Sequence, residues 1–570
     1  MSVSGDEGVA MDDERDLIPR NGAVAFVASM AAAGVRHVFG NPGTTEQSFL
    51  QALAGRTDME FVLSLHESVA VGAAEGFARV SGSVAAVQLH SACGLGNAMG
   101  MINNAMVGHT PMVIYVGVTG RTVAHTEPIL GGDIVAMAAP ATKWAWEIRS
   151  AKEIPTVVAR AFKIAASAPA GPVVLAVPND VMEEPCSEPI VAPSLVHGRT
   201  RPEAGLIQVI ADAVIAADNP VILIGDGVAG SGAGEQAAQL AGLIGAPIYG
   251  AYLTESVLPS ECLMDAGPLP LFDSARARST LGEHDLVLAI GTGLLRSVFP
   301  SPGPPLGHDA NVIHIGADPW ELGKNQSCLA VLGDEKTTLQ ELLTALDDSF
   351  GDMGRDKATE RTAGVAATIG ARRRRERKEA TALSARHGFS SDAVIATVAA
   401  AIPERSIVVD ESVSAMASVK RWIDSPPGRW FRSRGGGLGA GMALPIGAAL
   451  AAPDHPVVAI VGDGSMMYTS SAIWTAVCHR LPILWIVLDN GGYRILEENA
   501  RKFSSAGASE ERMIGTDLSP RIALAELAGA LGLACHHNVG DTSELRVALE
   551  TSLKCLWESG PALIQARVDG

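Results

Sequence analysis

Positive charge is scarce in this chain: 43 Lys and Arg residues stand against 62 Asp and Glu residues, a formal net charge of −19 at pH 7. Nucleic acid and anionic membranes repel such a protein, so we expect neither as a partner. Long apolar runs are also missing, because Gly, Pro or a charge interrupts each before about 18 residues, and no membrane span is expected. The seven cysteines are scattered without a CxxC pair. This pattern favours reduced thiols and a cytoplasmic location over a disulfide framework.

Small apolar residues and glycine dominate what is present. The chain is 47% hydrophobic and has 61 glycines, with only 4% aromatic residues. Such a composition is typical of a well-buried α/β enzyme. A chain of 570 residues is too long for a single core and suggests about three domains.

Short Val- and Ile-rich runs alternate with helical patterns along the chain. Strands spaced by helices predict an α/β fold made of three doubly wound parallel-sheet domains. The candidate strands are HVFG, FVLSL, AAVQLHS, PMVIYVG and GPVVLAVP in the first domain, NPVILIGDG, APIYGAY, HDLVLAIGT and NVIHIGAD in the second, and SIVVDES, VVAIVGDG, LPILWIVLDN and PALIQARV in the third. The first and third domains share a pattern, or rhythm, in which glycine-rich turns follow the strands. Ligands of parallel sheets bind beyond the carboxyl ends of the strands, so we expect the binding site at these turns.

Composition shifts mark the domain boundaries. The acidic N-terminus has no apolar segment and is not expected to be a secretory signal. The arginine-rich run RRRRERK, residues 372–378, is interpreted as the solvated face of a linker helix. We predict a disordered acidic tail over residues 1–17, an N-terminal domain over 18–190, a middle domain over 205–347, a charged linker over 348–387 and a C-terminal domain over 388–570.

Two apolar runs of the third domain end in oxygen-rich turns. VVAIV leads into Gly-Asp-Gly-Ser with Asp463, and ILWIVLD leads into Asn490, 27 residues later. Adjacent parallel strands would bring both side chains to one sheet edge, where Mg²⁺ finds the oxygen ligands that it prefers. Ser465 opens a helix whose N-terminus favours anions such as phosphate. Taken alone, Gly-Asp-Gly after a strand is an ordinary turn; the spacing to the Asn-Gly turn makes the pattern more specific.

This spacing resembles the cofactor anchor of thiamine-diphosphate enzymes. Three further stretches, GNPGTTEQSFL at 40–50, LHSACGLGNAMG at 89–100 and GGGLGAGMALPIGAAL from residue 435, resemble benzoylformate decarboxylase and acetolactate-synthase-like relatives. The likeness runs from about residue 18 to residue 568. It implies pyrimidine-binding, middle and diphosphate-binding domains, with thiamine diphosphate and Mg²⁺ as cofactors.

The resemblance also implies roles for single residues. Asp463, Asn490 and the carbonyl of Gly492 would ligate Mg²⁺, although the family's usual Asn-Asn is here Asp489-Asn490. Leu438 would be the apolar wedge that bends the cofactor, beside the Gly436 carbonyl that accepts from its 4′-amino group. The residues implied in cofactor binding are Glu67, Ser414, Gly436, Leu438, Asp463, Gly464, Ser465, Asn490, Gly492 and Tyr493.

Three residues of the first domain match the family's catalytic positions. Glu67 would protonate the aminopyrimidine ring and so generate the ylid, although a glutamate in the first turn of a helix is ordinarily a cap or dipole partner. His90 would act as an acid or base in the substrate cavity, since imidazole titrates near neutrality; without the resemblance it is equally a structural histidine. Thr44 stands where the family has a pocket serine after Asn-Pro-Gly.

The predicted substrate pocket departs from benzoylformate decarboxylase. Val298 replaces a second histidine, Ile495 replaces a small alanine, and Arg432 replaces a phenylalanine. These changes disfavour an aromatic substrate and favour an aliphatic or acidic one, with Arg432 either binding a carboxylate or lying at a surface. The resemblance as a whole implies a 2-oxo acid decarboxylase, a lyase, whereas Val298, by removing a proton donor, favours ligation. The alternative is a carboligase, a transferase that joins the decarboxylated enamine to a second carbonyl compound.

Two further expectations concern cofactors and assembly. GDGVAG at 225–230 fits a dinucleotide fingerprint after the strand VILI, but no acidic residue follows about 20 positions later. A bound nucleotide, and FAD in particular, is therefore not expected. In the family, Glu67 and Asp463 of one site come from different chains, which implies a homodimer or homotetramer with the active site at the interface.

Overall fold

The computed structural model describes residues 21–194, 198–251, 254–255, 257–269, 274–294, 306, 311–324, 326–424, 426–503 and 513–569. The predicted acidic tail and Val298 lie outside these residues. The chain divides into two compact units, residues 1–196 and 197–570. The described residues form three six-stranded sheets, each with parallel neighbours and flanking helices, which confirms the predicted fold class. Among them, no helix is both long enough and apolar enough to cross a membrane.

The first unit contains one parallel sheet with strand order β2-β1-β3-β4-β6-β5. Its described strands are β1 His37–Gly40, β2 Glu60–Leu63, β3 Ala85–His90, β4 Met112–Val118, β5 Trp144–Glu147 and β6 Pro172–Pro178. Its described helices are α1 Gly22–Ala32, α2 Gln47–Ala54, α3 Glu67–Ser81, α4 Ser91–Val107, α5 Ile134–Ala138, α6 Ile154–Ala166 and α7 Asn179–Glu183. Nearly every residue of β3, β4 and β6 is buried, because helices cover both faces of the sheet.

The second unit begins with the middle domain, whose sheet has the order β9-β8-β7-β10-β11-β12. Its described strands are β7 Pro220–Ile224, β8 Ile248–Gly250, β9 Asp265–Pro268, β10 Leu286–Ile290, β11 Asn311–Gly316 and β12 Leu329–Leu332. Its described helices are α8 Ala204–Ala216, α9 Asp226–Ser231, α10 Gly234–Ile244, α11 Ser274–Gly282, α12 Pro319–Lys324 and α13 Glu335–Ser349. This strand order is the one found in dinucleotide-binding folds.

The predicted charged linker is a single helix, α14 Asp352–His387. Its 36 residues make it about 54 Å long. Its arginine run is solvated, as the sequence predicts, since residues 373–378 are exposed, but two of these arginines also bind neighbouring domains. Arg373 pairs with Asp265 of the middle domain at 2.9 Å, and Arg377 donates to the carbonyl of Arg421 in the third domain at 2.9 Å. Arg375 instead pairs with Glu379 of the same helix, at 3.8 Å.

The third domain repeats the strand order of the first, as β14-β13-β15-β16-β18-β17. Its described strands are β13 Ile407–Glu411, β14 Trp430–Arg432, β15 Val457–Gly462, β16 Ile483–Asp489, β17 Cys535–Val539 and β18 Ala562–Arg567. Its described helices are α15 Ser391–Ala401, α16 Met416–Trp422, α17 Ala440–Ala451, α18 Asp463–Tyr468, α19 Ala472–Cys478, α20 Arg494–Phe503, α21 Leu524–Ala530 and α22 Thr542–Glu558. The shared rhythm predicted for the first and third domains is therefore a shared topology.

Candidate active site

The two oxygen-rich turns of the third domain lie side by side. Strands β15 and β16 are parallel neighbours, and Gly462 is in register with Leu488. Asp463 is the first residue of α18, and Asn490 directly follows β16. The expectation that adjacent strands bring both residues to one sheet edge is therefore confirmed.

The Asp463 carboxylate joins these two turns. Its Oδ1 accepts from the backbone N–H of Gly464 at 2.7 Å, and its Oδ2 accepts from those of Gly491 and Gly492 at 2.8 and 3.2 Å. Burial, together with the nearby Asp489 carboxylate, raises the pKa of Asp463 to about 6. A buried carboxylate held in this way is stabilised by a cation placed beside it.

The turn after β16 brings the side-chain oxygens of Asn490 and Asp463 to the same backbone N–H, that of Gly492. The side-chain oxygen of Asn490 accepts from the Gly492 N–H at 3.1 Å. A Cβ on Gly464 would lie 2.5 Å from the Tyr493 ring, and one on Gly492 would lie 2.3 Å from the Thr516 carbonyl oxygen. Both positions therefore require glycine, because the neighbouring atoms occupy the space of a side chain.

Asp489, which replaces the family's asparagine, supports the same turn. Its Oδ2 accepts from Gln565 Nε2 at 2.8 Å, and its Oδ1 accepts from the Gly491 N–H at 3.1 Å. Within the described residues, no group of three or more His, Cys, Asp or Glu could hold a metal. The predicted ligand set instead combines one carboxylate with amide and carbonyl oxygens, and such a hard-oxygen set fits Mg²⁺.

The loop that carries Gly436 and Leu438 is held by a residue that the sequence did not reveal. Glu411, at the end of β13, is buried and accepts through Oε2 from the N–H groups of Gly439 at 3.0 Å and Gly441 at 2.9 Å. Burial raises the pKa of Glu411 to about 8. Leu438 is half-buried beside these contacts. The only signal was an acidic residue at the end of the apolar run SIVVDES.

The two predicted serines lie at the ends of neighbouring strands. Ser414 is half-buried in a short turn of helix after β13, and Ser465 is buried in the first turn of α18, after β15. Strands β13 and β15 are parallel neighbours, so both hydroxyls belong to the edge that carries Asp463.

In the first unit, Glu67 begins helix α3, as predicted, and is buried. Its Oε2 accepts from Asn97 Nδ2 at 3.0 Å. A Cβ on Gly94 would lie 3.0 Å from Glu67 Oε1, so this glycine gives the carboxyl group its room. Asn97 was not identified from the sequence, although it lies in the quoted motif LHSACGLGNAMG.

His90 lies at the carboxyl end of β3 and is paired with Glu46. Its Nδ1 is 2.9 Å from Glu46 Oε2 and 3.2 Å from Thr45 Oγ1, and that hydroxyl also donates to Glu46 Oε1 at 2.6 Å. A Cβ on Gly43 would lie 2.0 Å from His90 Nδ1, which explains the glycine of Asn-Pro-Gly. Burial raises the pKa of Glu46, and its bonds to Thr45 and His90 oppose that shift. Thr44 is exposed, and the sequence reading missed Glu46, two residues further on.

The predicted substrate-pocket residues Ile495 and Arg432 differ in burial and in their contacts. Ile495 is half-buried in the first turn of α20. Arg432 is buried on β14, where its Nε and Nη2 donate to Asp410 Oδ2 at 3.1 and 2.8 Å, and its guanidinium lies 4.3 Å from the Trp430 ring. This geometry favours a structural role for Arg432, because its guanidinium already binds a carboxylate of its own chain.

The glycine-rich motif of the middle domain packs against its own chain. A Cβ on Gly225 would lie 2.4 Å from the Gly291 carbonyl oxygen, and one on Gly227 would lie 2.3 Å from Glu335 Oε1. Glu335 is buried, and this oxygen also accepts from the Ala317 N–H at 3.2 Å. The crevice between β7 and β10, where a nucleotide would bind in such a sheet, therefore contains a carboxylate.

Comparisons with known proteins identify the family. Models of the thiamine pyrophosphate enzymes match residues 20–137 as the N-terminal TPP binding domain, 207–342 as the central domain and 412–566 as the C-terminal TPP binding domain. A benzoylformate decarboxylase of Pseudomonas aeruginosa is 31% identical over 468 residues, which cover 81% of this chain and 84% of that protein. An acetolactate synthase of Mycobacterium bovis is 29% identical over 538 residues, covering 90% and 83%. The solved structure of a thiamine diphosphate-dependent 4-hydroxybenzoylformate decarboxylase of Rhodococcus jostii RHA1 is 26% identical, with a TM-score of 0.82 and coverage of 96% and 99%.

Proposed function

This chain belongs to the thiamine-diphosphate-dependent enzymes, and we propose that it uses thiamine diphosphate and Mg²⁺ to decarboxylate a 2-oxo acid. The bound cofactor supplies the electron sink for cleavage of the bond beside the carbonyl. Asp463, Asn490 and the Gly492 carbonyl would hold the metal. The clustered oxygens and the glycine positions of these turns support this assignment.

Glu67 is proposed to hold the activating proton. Its buried carboxyl group stands at the start of α3 with Asn97 as its partner, so its position is fixed before the cofactor ring arrives. A preorganised acid of this kind transfers a proton without first rearranging its surroundings.

The His90–Glu46 pair is the observation that favours a decarboxylase. An aldehyde product requires a proton to be delivered to carbon after CO₂ leaves. Glu46 binds Nδ1 of His90 and fixes the ring, which leaves Nε2 to move that proton. The carboligase alternative is favoured by Val298, which replaces the second histidine of benzoylformate decarboxylase, since fewer proton donors leave more time for attack on a second carbonyl.

The buried Glu335 supports the proposal that the middle domain binds no flavin. The Glu335 side chain fills the space beside Gly227, where this class of sheet binds a pyrophosphate. We therefore propose activity without added FAD.

Product analysis tests the reaction type. Purified protein with thiamine diphosphate and Mg²⁺ is incubated with a panel of 2-oxo acids, and CO₂, aldehyde and ketol are measured. CO₂ with aldehyde supports the decarboxylase, and CO₂ with ketol supports the carboligase. Release of no CO₂ from any member of the panel contradicts both.

The substrate preference is predicted from Ile495. A branched side chain in place of a small one crowds a phenyl group, and a misfit of one or two methylenes is worth about 1–3 kcal/mol. We expect kcat/KM to be lower for benzoylformate than for pyruvate or 2-oxoglutarate, and the Ile495→Ala variant to narrow that difference. A hundredfold preference for benzoylformate in the wild type contradicts the prediction. Arg432→Ala separates a substrate role, which shifts the ratio for 2-oxoglutarate, from the structural one, which leaves it unchanged.

A further inference from the structure

Arg434 is a buried arginine that links the third domain to two half-buried carboxylates of the middle domain. Its side chain is 3% exposed, and its Nη2 lies 2.8 Å from Asp226 Oδ1 and 3.1 Å from Glu255 Oε1. The Glu255 N–H donates to Asp226 Oδ1 at 3.3 Å, so the two acidic residues are held together. Two carboxylates this close repel each other, and the guanidinium between them removes that repulsion.

On the middle-domain side, backbone hydrogen bonds hold the segment that carries Asp226. Asp226 belongs to the motif GDGVAG, which has no role in the proposed function. The Gly227 N–H donates to the Gly291 carbonyl at 2.9 Å, and the Gly225 N–H donates to the Ile290 carbonyl at 3.0 Å. These two hydrogen bonds attach the motif, and with it the backbone on both sides of Asp226, to the end of β10.

The third-domain side is the loop proposed to hold the cofactor. Arg434 precedes Gly436 by two residues and Leu438 by four. The far end of this loop is bound by Glu411 through the N–H groups of Gly439 and Gly441. The loop is therefore fixed at its start by the middle domain and at its end by β13, with Gly436 and Leu438 between the two attachments.

A contribution to folding stability does not by itself explain why Arg434 is buried between the two domains. Nε and Nη1 of Arg434 are buried and have no hydrogen-bond partner among the described residues. Burying unpaired donors opposes folding, and positions that break such rules are often those where function sets the requirement.

Building on the proposed function, we propose that Arg434 is a positioning residue. Through Asp226 and Glu255 it makes the middle domain hold residues 433–441 in the conformation that receives thiamine diphosphate. In this chain the glycine-rich motif then serves as an anchor for the cofactor loop of the neighbouring domain. The middle domain thereby contributes to cofactor affinity without contacting the cofactor.

Two variants test this role. Asp226→Asn keeps the shape of the side chain and removes its charge, and Arg434→Met keeps much of the apolar stem and removes the guanidinium. The control is Arg373→Gln, which breaks the more exposed ion pair between α14 and Asp265 of the same middle domain. Hydrogen exchange of the Gly439 and Gly441 amides is measured in cofactor-free protein, and the Kd for thiamine diphosphate is measured by calorimetry with excess Mg²⁺.

We expect both variants to accelerate exchange of these two amides and to raise the Kd roughly tenfold, a typical size for coupling between sites. The control should match the wild type in both measurements. Unchanged exchange and a Kd within twofold of wild type in Asp226→Asn overturn the proposal, even if its Tm falls. Should the wild type bind no thiamine diphosphate, the proposed function fails, and the exchange measurement alone decides whether Asp226 holds the loop.

Discussion

The acidic side chains of the candidate site are buried, and each is held by a different set of donors. Asp463 accepts from backbone amides of two turns, Glu411 from those of one loop, and Glu67 from Asn97. Glu46 pairs with His90. Backbone amides thus bind the carboxylates of Asp463 and Glu411, and side chains bind those of Glu67 and Glu46.

Substituting Glu67 and Asp463 should separate catalysis from cofactor binding. Glu67→Gln should retain thiamine diphosphate but lose most activity, because an amide cannot donate the proton that a carboxyl group holds. Asp463→Ala should lose the cofactor, since metal and diphosphate bind jointly. Calorimetry and steady-state kinetics check this, with exposed Glu60→Gln as the control. Wild-type turnover in Glu67→Gln shows that the assignment of Glu67 is wrong.

Glu411 should make stability depend on pH. Its pKa is about 8 in the folded protein against an ordinary value of 4.5, so the folded state keeps a proton that the unfolded chain releases. The resulting stabilisation is complete below pH 4.5 and is lost as the pH rises through 8. Glu411→Gln is neutral throughout, so its Tm should rise relative to the wild type between these values.

Thermal unfolding of the cofactor-free protein across that range measures this difference. Glu550→Gln is the matched control, because exposed Glu550 pairs with Lys554 at 2.9 Å and stays ionised across most of this range. The difference in Tm between Glu550→Gln and the wild type should be nearly the same at every pH in this range. A constant offset for Glu411→Gln would falsify the prediction.

At the scale of elements, helix α14 joins the middle and third domains along its length. Arg361 Nε donates to the Ile244 carbonyl at 3.0 Å, and its Nη1 donates to the Asp218 carbonyl at 2.8 Å. Ile244 ends α10, and Asp218 follows α8 closely, so one arginine satisfies carbonyls at two helix ends. Arg375 contacts Glu379 of the same helix at 3.8 Å, and both are exposed.

These two arginines should therefore differ in their effect on stability. Arg361→Met keeps much of the apolar stem and removes the donors, which should lower the free energy of unfolding by about 1–3 kcal/mol. Arg375→Gln should change it by less than about 0.5 kcal/mol. Urea unfolding followed by circular dichroism provides the comparison. Equal losses in the two variants would show that α14 does not attach through Arg361.

The strands show which elements can be predicted from the sequence of an α/β protein. Five strands were not predicted, namely β5, β9, β12, β14 and β17, and every one of them lies at an edge of its sheet. Interior strands are covered on both faces and read as continuous apolar runs. Edge strands such as Asp265–Pro268 and Cys535–Val539 are short or polar, and only their pairing with a neighbour makes them strands.

At the scale of the whole molecule, the first and third domains have the same strand order, and each carries half of the proposed machinery. Glu67 and His90 belong to the first unit, and Asp463 and Asn490 belong to the second. The resemblance implies that one cofactor is shared between a first domain and a third domain of different chains. Assembly into at least a homodimer stays a prediction.

Complementation tests this assembly. Glu67→Gln and Asp463→Ala proteins are mixed, unfolded and refolded together. If each site uses the first domain of one chain and the third of another, every mixed dimer has one intact site. Random pairing then restores about a quarter of wild-type activity. Each variant refolded alone is the control. No recovery, with mixed dimers demonstrated by differently tagged chains, places Glu67 and Asp463 of a site on one chain.

The sequence by itself determined the three-domain parallel architecture, the family and the strand-end positions of Asp463, Asn490, Glu67 and His90. Those features depend on local patterns: apolar runs, glycine turns and the spacing between motifs. Tertiary structure decided the partners. Glu46 meets His90 from 44 residues away, Glu411 meets Gly439 from 28, and Arg432 turns to Asp410. Such contacts depend on which strands become neighbours and on which side chains become buried. The local sequence around each residue specifies neither, because both follow from how distant segments pack.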